Sequence, residues 1–539
     1  MKKHIIKKTI SVTLAMSMVV GLSACGNKSG VKKEDYSIGE IKSEEDNPEY
    51  NTGASQNYND IYNDVDIEYA AETIQADGYC GYNEPPYCVY DNQNEYSEVG
   101  DNEWQSIEKA PLSTFAADVD TASYTQIMNT PVGNVSPDMV RIEEMINYFH
   151  YDYPTPDVDD KFSVYTEYID CPWNEENKLA LVSLNTEPID FREAPSSNLV
   201  FLIDTSGSMF GYDRLGLIQQ AFCMLTENLT EKDRVSIVTY AGSDTVALTG
   251  ATGDDYYRIC SVLQDLQAEG STNGSAGINT AYELAEEYFI EGGNNRVILA
   301  TDGDLNVGVT SESGLEDLIT EKKESGIYLS VIGVGDGNYK DNKLETLADK
   351  GNGNYAYIAD MFDAKKALVE DLGATMVTVA KDVKLQVEFN QDNVSEYRLI
   401  GYENRVMAAE DFSDDTKDGG EMGAGHSVTA LYEIVPASDK IDGELFTLNV
   451  RYKEPDGDKS KLASYECTSK DYSDNGSDNI RWAAAVAAYG MYLKNSEYMG
   501  NTNLDMIDKL ACSTDYEDDD YRVNFVERIN MEKSGYIRY

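Results

Sequence analysis

The sequence predicts an α/β protein: a doubly wound, mostly parallel sheet flanked by β-rich modules and a C-terminal helical segment. Three observations carry this. Between about 195 and 375, short apolar runs alternate with helical periodicity, the pattern of parallel strands joined by crossover helices. Leu199-Val-Phe-Leu-Ile203 is apolar at every position, as a strand buried on both faces requires. Beyond about 375, apolar and polar residues alternate between Gly- and Asp-rich turns, until Arg481-Trp-Ala-Ala-Ala-Val-Ala-Ala-Tyr489 turns to a helical pattern.

Taken in order, the chain starts basic with Lys2, Lys3, Lys7 and Lys8, is mostly apolar over 9–22, and reaches Leu22-Ser-Ala-Cys25. That is the order of a secretory signal over 1–24, and its apolar part is shorter than the ~20 residues of a spanning helix. Residues 25–108 are acidic and rich in Tyr and Asn with few aliphatic clusters, so a disordered stalk is expected. An N-terminal module over 109–194 follows, with a helical stripe at 139, 142, 145, 146 and 149 and strands over 162–168 and 179–184.

The central domain, 195–375, reads as strands over 199–203, 234–240, 244–248, 296–301, 327–333 and 354–358. Helices are expected over 214–229, 255–267, 276–290, 312–324 and 341–349. The short Ala241-Gly-Ser243 link makes the second and third strands an antiparallel hairpin at the sheet edge. The last part, 376–539, reads as a β module with strands over 383–389, 397–402, 426–435 and 445–452, then helices over 478–494, 502–512 and 518–530.

Composition narrows function. The chain has 97 acidic against 43 basic residues, a formal net charge of −54. Such a surface repels nucleic acid and anionic lipid, and its acidity serves solubility. No GxGxxG or GxxxxGK[ST] motif occurs, so a nucleotide is not expected. Of eight cysteines, Cys80 and Cys88 are close enough in sequence for a small disulfide loop, while Cys223 and Cys260 fall among apolar residues as buried thiols. Cys171, Cys467 and Cys512 stay unassigned. Without a CxxC pair, and with only His4, His150 and His426, zinc is disfavoured.

The run 199–203 ends in Asp204, Ser206 and Ser208, spaced two apart. Arg296-Val-Ile-Leu-Ala-Thr301 ends in Asp302, and Gly270-Ser-Thr-Asn-Gly274 carries Thr272 ahead of a helix. Two carboxylates and three hydroxyls form an oxygen-only donor set. Magnesium suits it better than a calcium cage, with manganese and calcium left open.

These three segments resemble the von Willebrand factor type A domain, a Rossmann-like fold. The resemblance implies a metal-ion-dependent adhesion site with Asp204, Ser206, Ser208, Thr272 and Asp302 at the five ligand positions. A metal so held engages a carboxylate of a protein partner, since two carboxylates balance the cation and leave a water position open. A hydrolase is the alternative, and it lacks a general base: no histidine lies in the three segments. A purely structural metal is a further alternative. Small residues before Cys25 resemble the bacterial lipobox, which implies a lipid anchor on Cys25 and an extracytoplasmic, membrane-bound protein.

From Pro111 onward the chain resembles the YfbK-like lipoproteins that carry this domain. Pro111–Tyr124, Arg141–Phe149, Arg398–Arg405, Gly423–Tyr432 and Asn524–Arg528 carry the likeness outside the central domain. Asp118-Val-Asp-Thr121 also resembles a phosphatase nucleophile loop, but the lysine and second acidic pair that chemistry needs are not evident. It reads as a structural turn. In the resembled domain a final helix moves when the metal loops accept a ligand; here that helix is expected over Met361–Val379.

Overall fold

The computed structural model describes residues 96, 100–157, 160–189, 194–241, 243–269, 277–303, 312–335, 341–371, 374, 376–438, 440–455 and 457–535. Cys25, Cys80, Cys88, Thr272, the expected signal and nearly all of the expected stalk lie outside them.

The first ordered elements are β1 (Gln105–Ser106), β2 (Leu112–Ala116), α1 (Ala122–Asn129), α2 (Ile142–Asn147), β3 (Ser163–Asp170) and β4 (Lys178–Asn185). The expected stalk boundary at 108 is therefore too late. Strand β1 pairs with Glu396 and Tyr397, Asn102 donates to Gly401 O at 2.8 Å, and Ile107 is buried.

The central domain comprises β5 (Ser197–Asp204), α3 (Leu215–Thr226), β6 (Arg234–Tyr240), β7 (Asp244–Thr252), α4 (Tyr256–Gln264), α5 (Gly277–Glu287), β8 (Asn294–Thr301), α6 (Glu312–Glu324), β9 (Ile327–Val334), α7 (Asp341–Lys350), β10 (Tyr355–Ile358) and α8 (Met361–Lys365). Its sheet runs β10-β9-β8-β5-β6-β7, parallel except for the β6–β7 edge hairpin. The central strands β5, β8 and β9 are buried on both faces because helices cover both, whereas the edge strand β7 keeps exposed residues. Leu199, Phe201 and Ile203 face a core shared with α3, while Val200 and Leu202 face one shared with α5.

The remaining strands are β11 (Thr378–Phe389), β12 (Val394–Ile400), β13 (Val406–Met407), β14 (Gly420–Gly423), β15 (Ser427–Pro436), β16 (Glu444–Lys453) and β17 (Lys461–Thr468), followed by α9 (Asp478–Lys494), α10 (Leu504–Ala511) and α11 (Asp520–Ser534). They form two sheets, β1-β12-β15-β4-β3 and β13-β2-β11-β16-β17, with β14 on β11. Phe115, Val182, Leu385, Tyr432 and Leu448 fill the space between the two as one core.

This corrects the expected division into separate modules over 109–194 and 376–539. Leu385 pairs with Phe115 and Leu431 with Leu181, so both segments build one sandwich, and the parallel-sheet domain is inserted between β4 and β11. On the outer face of the β4–β15 sheet, Leu179, Leu181 and Leu431 pack under α2 and α9. The alanine run Ala483–Ala488 is wholly buried there, and Gly490 lets α9 approach α2 so closely that a Cβ would stand 2.8 Å from Ile142 Cγ1.

The helix expected over Met361–Val379 is much shorter. After α8 the chain widens into a π-helical turn, Lys366–Glu370, and Thr378–Val379 already belong to β11. Asp371 ends the turn, held by Lys366 Nζ at 3.1 Å and His150 Nε2 at 3.3 Å. The run Val377-Thr-Val379 then favours a strand, since β-branched side chains lose rotamer freedom in a helix. Cys171, Cys223, Cys260 and Cys467 are buried free thiols, and Cys512 is free and exposed.

Candidate metal centre

Strands β5 and β8 lie side by side and parallel, with Ile203 level with Ala300. From β5 the chain builds β6 and β7 on one side, then returns to build β8, β9 and β10 on the other. Ligands of open α/β sheets bind at such a switch point, outside the carboxyl ends of the strands. Asp204 is the last residue of β5 and Asp302 directly follows β8, so both carboxylates emerge at this point.

Past Asp204 the chain turns tightly. Thr205 N donates to Tyr240 O at 2.9 Å, and Ser206 N donates back to Asp204 Oδ1 at 2.8 Å, which starts a single 3₁₀ turn over Gly207–Met209. Ser206 Oγ and Ser208 Oγ lie 2.9 Å apart. From the neighbouring strand, Thr301 Oγ1 donates to Asp204 Oδ2 at 3.2 Å and accepts from Gly303 N at 3.2 Å. Asp204 and Ser206 are fully buried while Ser208 is exposed, so the cluster opens outward at Ser208.

Burial pushes the Asp204 carboxyl up to about 6; hydrogen bonds from Ser206 oppose the rise and the charge of Asp302 adds to it. Arg214 is the basic group at this pair. Its Nη1 donates to Ser208 O at 2.5 Å and stands 3.9 Å from Asp302 Oδ2. Asp302 Oδ1 is buried without a hydrogen-bond partner among the described residues. Two carboxylates facing a single, distant guanidinium leave an unmet demand for positive charge and an unused acceptor. A divalent cation is the kind of group that would meet both.

The structure thus brings Asp204, Ser206, Ser208 and Asp302 together; Thr272 lies outside the described residues. Among the described residues, no three His, Cys, Asp or Glu side chains gather where they could hold a metal. What these residues offer instead is two carboxylates and two hydroxyls. The sequence reading missed Thr301 and Arg214. Thr301 could have been inferred from its place in Thr-Asp-Gly, but nothing local marks Arg214, whose role arises only where α3 passes the end of β8.

The von Willebrand factor type A domain model matches residues 198–371, the "Uncharacterized protein YfbK, C-terminal" model matches 374–534, and a model described as von Willebrand factor matches 90–181. Fold and comparison together define a von Willebrand factor type A domain protein, a class that serves protein interaction and adhesion. Over 468 residues the chain is 40% identical to "Uncharacterized protein YfbK" of Escherichia coli (strain K12), covering 81% of this chain and 80% of that protein. The chain belongs to the YfbK family. It also shares 28% identity over 146 residues with inter-alpha-trypsin inhibitor heavy chain H4 of Homo sapiens, 26% of this chain and 16% of that protein. Among solved structures, von Willebrand factor type A from Catenulispora acidiphila aligns at 16% identity with a TM-score of 0.41, covering 69% of this chain and 89% of that one.

Proposed function

We propose that the protein is a metal-dependent adhesion module whose cation is held by Asp204, Ser206, Ser208, Thr272 and Asp302 and engages an acidic side chain of a protein partner. The partnerless, buried Asp302 Oδ1 beside the buried Asp204 carries this reading. With magnesium bound, the cation offers a coordination position to an incoming carboxylate. The protein's part is positional: Ser206 N and Thr301 Oγ1 fix both oxygens of Asp204, and exposed Ser208 sets the direction of approach. The role is binding rather than catalysis, and a lipid on Cys25 would present the site on the outer side of the membrane.

Calorimetry with magnesium chloride tests the centre. Wild type should bind one cation, and Asp204→Ala and Asp302→Ala should each lower affinity at least about 100-fold, the range expected when a buried charged partner is removed. Undiminished binding in both variants overturns the assignment. Incorporation of labelled fatty acid into wild type but not Cys25→Ser tests the anchor.

A further inference from the structure

Cys223 on α3 and Cys260 on α4 belong to one core, and both are buried free thiols in the structure. Side-chain bonds hold the two helices antiparallel, with these residues opposite each other. Gln219 Nε2, one turn before Cys223, donates to Leu263 O at 2.9 Å. Glu227 Oε1, one turn after it, accepts from Tyr256 Oη at 3.3 Å. The pairings 219 with 263 and 227 with 256 leave 223 facing 260 between them. Thr226 Oγ1 confirms the register: it donates to Cys223 O at 2.7 Å and lies 3.7 Å from Cys260 Sγ. Burial pushes the Cys223 thiol up, and the hydrogen bond that its sulfur shares with Cys260 adds to the rise. Among the described residues no other two cysteines share a core. Cys171 and Cys467 lie in different ones, and Cys512 is exposed.

A disulfide needs two sulfurs aimed at each other from elements whose register is fixed, and α3 and α4 provide that. Disulfides persist outside the reducing cytosol, where the secretory signal expected over 1–24 leads the chain. We infer that Cys223 and Cys260 form a structural disulfide that ties α3 to α4. The oxidant is another disulfide, of a small thiol or of a disulfide-donating protein. One protein thiolate attacks it, expels one oxidant thiolate and leaves a mixed disulfide. The second attacks the protein sulfur of that mixed disulfide and expels the other. Two S–H bonds give way to one S–S bond, and the oxidant leaves as two thiols with both electrons and both protons. A buried, protonated thiol reacts slowly, so the bond forms as the chain folds, before α3 and α4 close over the sulfurs. Burial then shields it from reductants. The link fastens the helix that starts after Arg214, the residue bracing the Ser208 carbonyl.

The test refolds the full chain from urea, in detergent, with oxidised and reduced glutathione present. Remaining thiols are then blocked and the protein is digested with trypsin without reductant. Peptides 215–232 and 259–296 each hold one of the two cysteines and no other. Mass spectrometry should find them joined, and separate after reduction. Glutathione supplies the oxidant, so failure to join counts against the pair and not against export. The joined protein should also unfold in urea with an equilibrium constant on the order of 100-fold smaller than the reduced one, the scale for closing a loop of about 37 residues. The double variant Cys223→Ala, Cys260→Ala should lose that difference between oxidised and reduced forms. The peptide map needs no variant, and it keeps the test sound should the double variant fold poorly. Recovery of the two peptides singly with blocked thiols, or of either cysteine joined to a different one, overturns the inference. An unfolding constant unchanged by the link does so too.

Discussion

Asp204 at the end of β5 and Asp120 at the foot of the inserted domain are both carboxylates removed from water, at 0% and 5% exposure. Their surroundings differ. Asp120 shares one guanidinium, Arg405, with three other carboxylates: Arg405 reaches Asp118 Oδ2 at 2.8 Å, Asp120 Oδ2 at 3.3 Å, Glu345 Oε1 at 3.1 Å and Asp349 Oδ2 at 2.6 Å. Glu345 also pairs with Arg141 at 3.0 Å, and Asp120 Oδ1 accepts from Tyr355 N at 3.0 Å. Asp118, Asp120, Arg141 and Arg405 belong to the segments that build the sandwich and its helices, whereas Glu345, Asp349 and Tyr355 belong to the inserted domain. The junction therefore carries its own cation, and each of its four acids accepts a hydrogen bond from it. Among the described residues the candidate metal centre has only the more distant Arg214, and Asp302 Oδ1 has no partner there. A buried carboxylate with an internal cation is architecture; one without such a cation is what the proposed metal site rests on.

Breaking the internal pairing should have the largest effect. Arg405→Ala leaves four carboxylates without their shared partner at a domain junction. Loss of one member of a buried ion pair costs about 3–5 kcal/mol. Urea denaturation should show that loss, or an early transition of the inserted domain. A change below about 1 kcal/mol would mean that the acids discharge by taking up protons and need no cation.

Protons are the second way to probe the comparison. Burial outweighs the pull of Arg141 and Arg405 and raises Glu345 to about 7; burial with Glu403 and Asp118 nearby raises Glu143 to about 8. A carboxyl raised in the folded state keeps a proton that the unfolded chain has released. Stability is therefore present below the unfolded value near 4.5 and is lost as pH rises through the folded one. His426, lowered by burial to about 4, acts oppositely between there and 6.5, so above 6.5 the raised carboxyls, with Asp363 at about 7 among them, set the slope together. Between roughly pH 6.5 and 8.5 stability should fall on the order of 1 kcal/mol per pH unit. In Glu345→Gln the slope should flatten by up to one proton, measured by denaturation at a series of pH values. An unchanged slope would place Glu345 ionised within the Arg405 network.

How much of this was legible in sequence follows from how local each feature is. The clustering of Asp204, Ser206 and Ser208 with Asp302 was legible because each motif follows its own strand within a few residues. The parallel strands were readable because burial on both faces forces unbroken apolar runs. The insertion was not. Pairing of Leu112–Ala116 with Lys384–Glu388 joins residues about 270 apart, and nothing in either strand names its partner. Arg405 likewise gathers its four carboxylates from two segments, 118–120 and 345–349, both distant from it in sequence. The final helix was misjudged because the apolar spacing of Phe362, Leu368 and Met376 suits a helix, while the Lys366–Asp371 pair and the β-branched run after it end one early.

The smallest expected effect comes from Arg214, the residue that brings the metal centre nearest to the junction in character. Its guanidinium stands 3.9 Å from Asp302 Oδ2, on a side chain 25% exposed, so water screens it. In the absence of metal it offsets part of the charge on the acidic pair; with metal bound, it repels the cation. Arg214→Gln should therefore tighten magnesium binding a few-fold, the scale of a screened pair at about 1 kcal/mol or less. The same side chain also braces the Ser208 carbonyl at 2.5 Å, and a glutamine can restore that bond more readily than an alanine can. Calorimetry on both variants separates the two roles. Tighter binding in Arg214→Gln with weaker binding in Arg214→Ala means that charge and bracing act separately. Weaker binding in both means that Arg214 holds the ligand loop first and competes with the cation second. The metal centre would then depend on a fixed internal cation much as the junction depends on Arg405.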